Sequence, residues 1–426
     1  MSEEKYKESS AILEKLGEPQ ARAANFSRLA ISRQMEPNLA EAEKLARQAV
    51  DQQDEDDTVK RVVLANILLD LGKTEDAAIA VGESRLDNVQ KQAYADLVRD
   101  LSPKERHAVC NELNKGIFFI LSLSAFHDQV PEHYQKALDL SKGNNFFLMY
   151  ALAQSQLNAR RFDDAIKLLH KITELQSDYV PAWTYLGYIY EAQSKPSQAI
   201  EAYSVAADKA PKEPGIAIRL GLLCRTVEKY PEAQKQYLRA LGLLEADRNA
   251  LEADPRQRDA FQSKTREIAR LLFMLGETYE RQSIVDSAIE YYDKAIKLAP
   301  DERETFDAYN NAAWHYATRK DPNLRQAYIY ANKAKDLMPE YLEVRDTLGW
   351  VLYLIKNLDG AKQELKTAAM GLKTDGTVQY HYACVLADTG DAALAIQTLD
   401  AVIDLDFPVK AEAQALLAKL RGVKKD

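Results

Sequence analysis

Cysteine is scarce: Cys110, Cys224 and Cys384 are the only three in 426 residues. An odd count, with neighbours more than a hundred residues apart, argues against a disulfide framework and against a zinc site built on cysteine spacing. Glycine (16) and proline (14) are also few, so there is little room for long disordered tracts. No apolar run approaches the ~18 residues a bilayer span needs. The longest, Gly116-Ile117-Phe118-Phe119-Ile120-Leu121, is short enough for a buried helix segment. Basic excess is missing too. A net charge of −9 disfavours nucleic acid or an anionic membrane as the main partner, since both need a basic footprint.

Chemistry-bearing motifs are equally absent. The chain has no Gly-rich phosphate loop, no Gly-x-Ser-x-Gly elbow and no His-Glu-x-x-His. Its six histidines, at 107, 127, 133, 170, 315 and 381, never fall at ligand spacings of three or four residues. They read as surface or satisfied core residues, and Cys224 and Cys384 as small packing residues. No catalytic, metal-ligating or cofactor-binding residue is expected, and no cofactor. The acidic run Asp54-Glu55-Asp56-Asp57 reads as a solvated helix end. The opening Met1-Ser2-Glu3-Glu4-Lys5 lacks the apolar stretch of a secretory signal. As written it implies a cytoplasmic protein. If it is a processed or recloned start, a periplasmic or envelope-associated location stays open.

What the chain does have is a period. Residues 180–213 carry Trp183-x2-Leu186-Gly187-x2-Tyr190, then Ala199, Tyr203, Ala206 and Pro211. The unit from Pro214 keeps Leu220-Gly221, Ala233, Tyr237 and Ala240. The unit from Ala269 keeps Leu275-Gly276, Tyr279, Ala288, Tyr292, Ala295 and Pro300. A 34-residue period means that each unit is one helical hairpin unable to bury its apolar face alone; stacked neighbours bury it, as a solenoid. Gly187, Gly221 and Gly276, with Ala199, Ala233 and Ala288, let helices approach, and Trp183, Tyr190 and Tyr203 fill the gaps between them. Pro211 and Pro300 end second helices.

Less regular units start at Phe306, Leu342 and Gly376. The first has a turn two residues longer, at Asp321-Pro322-Asn323. Going backward, units fit at Phe146, at Thr58 with a Leu71-Gly72-Lys73 turn, and weakly at Ala23 with a Glu36-Pro37-Asn38-Leu39 turn. Residues 92–145 are helical but out of register, with Ser102-Pro103 as a helix start. That makes eight recognisable repeats plus one or two degenerate ones. The expected organisation is a degenerate helical region at 1–145, central repeats at 146–247, a charged insertion at 248–268, C-terminal repeats at 269–408, and a capping helix and tail at 409–426. Insertions in such arrays go to loops or extended helices. This one is expected to separate two superhelical stretches.

The repeat signature resembles the tetratricopeptide repeat family, over nearly the whole chain. The resemblance implies an all-α, right-handed superhelical solenoid of helical hairpins with a C-terminal capping helix. It also implies that positions 2, 5, 9, 12 and 13 of each first helix line a concave groove. Carried onto this sequence, those positions give Phe147 and Tyr150, then Thr184, Tyr188 and Glu191, then Ile218, Leu222 and Arg225. Arg270, Phe273, Glu277, Glu280 and Arg281 follow. The last three units give Asp307, Asn310, Trp314, Asp346, Trp350, Tyr353, Tyr380, Cys384 and Asp388. Trp, Tyr and Arg are enriched in binding hot spots. The residues expected to touch a partner are therefore Phe147, Tyr150, Tyr188, Arg225, Arg270, Phe273, Asn310, Trp314, Asp346, Trp350, Tyr353 and Tyr380. Tyr150, Tyr188 and Tyr353 read equally well as packing between first helices.

The family's carboxylate-clamp subtype is argued against. No clear repeat has lysine at position 5, and Asp346, at the place matching Asn310 one repeat on, would repel a carboxylate. The stretch from Tyr309 to Ala317 and that from Asp346 to Tyr353 resemble the closing repeats of bacterial envelope-associated proteins linked to exopolysaccharide export or surface sorting. The functional expectation is a non-enzymatic scaffold or adaptor holding an extended or helical segment of a partner protein in the groove. A single-client regulator or co-chaperone is the alternative, and a repeat-bearing enzyme a distant third. Solenoid ends and exposed edges can stack, which leaves homo-oligomerisation open.

Overall fold

A computed structural model describes residues 22–35, 38–51, 57–121, 129–143, 145–252 and 255–422. Residues 1–5, Glu36-Pro37 of the first turn and Asp54-Glu55-Asp56 of the acidic run lie outside them, as do the side chains at 118–121. The described residues form twenty-two α-helices and short 3-10 turns, and no strand. The chain divides into two compact units, residues 1–209 and 210–426. That division falls between Lys209 and Ala210, inside the block read as central repeats, not at the charged insertion.

The first unit holds α1 (Arg22–Met35), α2 (Leu39–Asp51), α3 (Asp57–Asp70), α4 (Thr74–Gly82), α5 (Asn88–Asp100), α6 (Pro103–Leu121), α7 (Val130–Leu140), α8 (Phe146–Asn158), α9 (Phe162–Leu175), α10 (Val180–Ala192) and α11 (Pro196–Lys209). The second holds α12 (Pro214–Thr226), α13 (Tyr230–Glu252), α14 (Arg258–Glu280), α15 (Val285–Leu298), α16 (Phe306–Thr318), α17 (Leu324–Leu337), α18 (Leu342–Leu354), α19 (Leu358–Gly371), α20 (Gly376–Asp388), α21 (Ala392–Asp400) and α22 (Lys410–Gly422). Within each unit successive helices pair as hairpins, and the hairpins stack on one another.

One turn closes most hairpins. The first helix ends on a residue in the left-handed region: Gly72, Arg160, Ser194, Glu228, Ser283, Lys356 or Gly390, with φ between 56° and 88°. The next amide then reaches back five residues, as from Lys195 to the Tyr190 carbonyl (2.8 Å) and from Lys229 to that of Cys224 (2.8 Å). These bonds satisfy carbonyls that a helix end otherwise leaves open. The longer 319–323 turn uses another route, an Asn323 amide bond to the Tyr316 carbonyl (2.8 Å).

Small-against-large packing holds each hairpin shut. A Cβ built on Gly187 would meet the Tyr203 ring at 2.8 Å, and one on Gly221 the Tyr237 ring at 2.6 Å. The alanines at 199, 233 and 288 are wholly buried, as are Tyr237 and Tyr292. The insertion lengthens the second helix of one hairpin and the first helix of the next. α13 and α14 have 23 residues each, against 13 in α12 and 14 in α15, so about 14 Å of extra helix projects beyond the neighbours at ~1.5 Å per residue. α22 closes the array, burying Ala413, Leu417 and Leu420 against α20 and α21. No helix among the described residues is long and apolar enough to cross a membrane.

The stretch at 92–145 departs from the repeat. A capping box between Asp87 and Gln90 starts α5. A second box starts α6: the Glu105 amide donates to Ser102 Oγ (3.4 Å) and the Ser102 amide to Glu105 Oε2 (2.8 Å). α6 and α7 form a hairpin whose Gly116 lies under the Tyr134 ring. α6 packs against α1 and α3, the first helices of two N-terminal hairpins, and α5 packs against α8.

Candidate functional site

The two units treat their inner positions differently. In the first, the chain itself uses them. The spacing that defines the groove puts Gln34, Asn66 and Asp70 at inner positions of the first two hairpins. All three bond to α5 or α6. Tyr94 Oη donates to Asn66 Oδ1 (2.6 Å), Asn66 Nδ2 to Asn114 Oδ1 (2.7 Å), and Asn114 Nδ2 to Gln34 Oε1 (2.5 Å). Gln34 also donates to Asp70, whose other oxygen lies 2.9 Å from His107 Nδ1. Burial raises the Asp70 carboxyl above its ordinary range.

Phe147 and Tyr150, expected in the open groove, are buried in this unit. Phe147 meets Tyr94 of α5 edge-on at 5.4 Å, and Tyr150 packs against Tyr179 and Tyr185 at 5.3 and 5.7 Å. The Tyr179 hydroxyl donates to Asp87 Oδ2 (2.9 Å) and Asn145 Nδ2 to the Ala93 carbonyl (2.8 Å), tying the start of α5 in place. An apolar cavity of about 350 Å³ remains between α3, α6, α7 and α8. Tyr188 is 46% exposed and stands apart from that cavity.

The second unit gathers the aromatic residues instead. Trp314 on α16, Trp350 and Tyr353 on α18, and Tyr380 on α20 come from three successive first helices. His381 joins them. Its ring stacks on Trp350 (centroids 4.2 Å, planes 23° apart) and lies 5.7 Å from Trp314 and 6.0 Å from Tyr380. Trp350 in turn stacks on Tyr353 at 5.1 Å. All four aromatics are half-buried. The Tyr353 hydroxyl donates to Asp388 Oδ2 (2.9 Å).

Asp346 does not reach the groove as a free charge. Both its oxygens lie 3.0 Å from His381 Nδ1, and the pair is buried. Arg225 is likewise engaged, its guanidinium 2.5 Å from Glu277. Phe273 packs on Tyr292 at 5.6 Å, and Arg270 is exposed. Asn310 and Trp314 line a pocket of about 230 Å³ with Asn311, Thr347, His381 and the carboxylates of Glu280, Glu343, Asp346 and Asp375. No lysine or arginine is among the lining residues.

The electrostatics follow from that inventory. Burial, then the nearby Glu277 and Glu343 carboxylates, raise the Asp307 carboxyl to about 6. Burial pushes Glu280 up as well, but His315 and the Tyr292 hydroxyl outweigh it and leave the carboxyl below its ordinary range. His381, Asn311 and Thr347 escaped the sequence reading. The signal was present: each stands one place after a position-5 residue, so three successive first helices carry a polar residue at one site facing one pocket.

Two models of the tetratricopeptide repeat family match the chain, over residues 150–214 and 269–302. The human Protein O-mannosyl-transferase TMTC3 is 26% identical over 231 residues, which is 52% of this chain and 23% of that protein. The chain thus spans under a quarter of the length of that curated relative. Among solved structures, MamA is 21% identical over 44% of this chain and 95% of its own, with a TM-score of 0.35. Yeast Tom70 is 16% identical over 99% and 92%, with a TM-score of 0.37. The APC/C hetero-tetramer Cut9-Hcn1 is 14% identical over 98% and 93%, with a TM-score of 0.42. With its hairpin period, its Gly-under-Tyr packing and both family matches, the chain carries tetratricopeptide repeats, matched at residues 150–214 and 269–302.

Proposed function

We propose that the chain is a non-catalytic adaptor that holds an extended or helical segment of a partner protein against the inner helices of residues 210–426. Trp314, Trp350, Tyr353 and Tyr380 would be the anchors, with Phe273, Asn310 and Arg270 at their margin. One observation carries this reading: four large aromatic side chains from α16, α18 and α20 gather around His381 while each stays only half-buried. Aromatic anchors of this size supply most of the energy in typical interfaces. The covering of inner positions by α5 and α6 in the first unit supports a single segment on the second unit. That favours one principal client over a many-handed scaffold.

The test compares partners captured by the wild-type chain and by Trp314→Ala/Trp350→Ala, with helicity and melting measured on both. Partners lost from a variant that still folds support the aromatic face as the docking surface. Unchanged partners would move the interaction to the α13–α14 extension or to Tyr188 and the first unit.

A further inference from the structure

The pocket beside Trp314 has an inventory of one kind. Two of its carboxylates already have partners: Asp346 faces His381, and Glu280 takes the Tyr292 hydroxyl. Asp375 caps α20, accepting from the Thr377 and Val378 amides. The charged groups that stay unpaired are all acceptors. No ion pair or hydrogen bond among the described residues reaches Glu343, nor Asp307 next to the pocket, and the two repel each other. Asn310 Oδ1 is buried and accepts nothing. Of the three, Asn310 Oδ1 is the buried one, and an unpaired buried acceptor is costly; Asp307 is half-buried and Glu343 exposed, and what they add is the repulsion of like charges held together. An occupant that relieves all three must bring several N–H donors and a positive charge.

Size and shape narrow it further. About 230 Å³ is below the ~300–1,000 Å³ of small-molecule sites and suits one long side chain. A half-buried indole forms one wall, and a cation over an indole face is attracted by its quadrupole. A planar guanidinium combines ring stacking with five donors, whereas an ammonium offers three and stacks poorly. Resting on the reading of this face as a docking surface, we infer that the partner segment presents an arginine here, its guanidinium against Trp314 and between Asp307 and Glu343.

The probe is a random 12-residue peptide display library, selected on the full chain at physiological salt. Peptides retained by the wild type are then measured on three variants whose folding is checked by circular dichroism. These are Trp314→Ala/Trp350→Ala, Asp307→Asn/Glu343→Gln, and Glu290→Gln/Asp359→Asn, the last removing two charges from second helices. The expected result is arginine enrichment among retained peptides and a loss of affinity on the order of tenfold on the first two variants only. Retained peptides that need the tryptophans but lack arginine, or bind the Asp307/Glu343 variant as tightly as the control, overturn the inference and leave the docking surface standing. Peptides indifferent to the tryptophans overturn both.

Discussion

Asp346 on α18 and His381 on α20 form a buried pair, with both carboxylate oxygens 3.0 Å from the imidazole Nδ1. The pair bridges two successive first helices, and the ring it orients is the one stacked on Trp350. A residue that sequence position assigns to a partner is thus spent on holding the aromatic face in shape.

Breaking that pair should be expensive. Asp346→Ala leaves a buried imidazole without its acceptor and is expected to cost about 3 kcal/mol in urea unfolding. Asp346→Asn keeps an acceptor oxygen and should cost about 1 kcal/mol. Equal, small losses in both variants would mean that the pair does not hold α18 to α20.

Two glycines in neighbouring helices should respond with opposite signs. A Cβ at Gly221 would sit 2.6 Å from the Tyr237 ring and 3.2 Å from the Ala233 carbonyl, and Tyr237 is wholly buried with nowhere to move. Gly221→Ala is expected to destabilise by about 2 kcal/mol through overpacking. Gly242, in the exposed part of α13, has nothing within 4 Å of its would-be Cβ. Gly242→Ala should stabilise by about 0.8 kcal/mol through helix propensity. Thermal melting reads both, and a shared sign would refute the packing account.

The same packing shows how far the sequence could be read. Gly187 with Tyr203, Gly221 with Tyr237 and Gly276 with Tyr292 keep one spacing, because each pair of helices is joined by the same turn. Gly116 and Tyr134 make the same kind of contact two residues further apart, because α6 ends at Leu121 and α7 starts only at Val130, and the fixed period misses them. Periodicity therefore announces the fold and the inner positions of α14 to α20. It is silent on α5 and α6, whose place against other first helices is a tertiary matter with no spacing to betray it. Tyr94, Asn66 and Asn114 became partners across up to 48 residues of chain. For the same reason Phe147 and Tyr150 read as groove residues and are buried.

Asp307 gives the second unit a pH dependence of known sign. Its carboxyl titrates at about 6 in the folded chain against an ordinary 3.8. Between those values the folded state binds more protons than the unfolded one, so stability falls as pH rises through the window and stays lower above it. The group is partly solvated, and screening cuts the full shift to about 1 kcal/mol. Asp307→Asn should therefore be about 1 kcal/mol more stable than wild type at pH 7.5 and no different below pH 4. Denaturant titrations at the two pH values decide it. A variant less stable at pH 7.5 would show that the ionised carboxylate has a favourable partner after all.

The polar chain of the first unit makes the last prediction. Asn66 accepts from Tyr94 of α5 and donates to Asn114 of α6, at a position that in the second unit carries the half-buried Trp314 and Trp350. Tyr94 is almost fully buried, and burial raises its hydroxyl well above the usual phenol range. Asn66→Ala would strand that hydroxyl and the Asn114 carbonyl together, at about 1–3 kcal/mol for each unsatisfied group. Because α5 is held otherwise by the Phe147 edge contact and the Tyr179–Asp87 and Asn145–Ala93 bonds, the loss should appear there first. Amide exchange across 88–100 is expected to quicken in Asn66→Ala while α8 to α11 keep their protection. Asn66→Ala/Tyr94→Phe, which removes both ends of one bond, should recover part of it. Uniform loss of protection through the whole first unit would instead make the chain of bonds a global strut, with α5 no more releasable than any repeat helix.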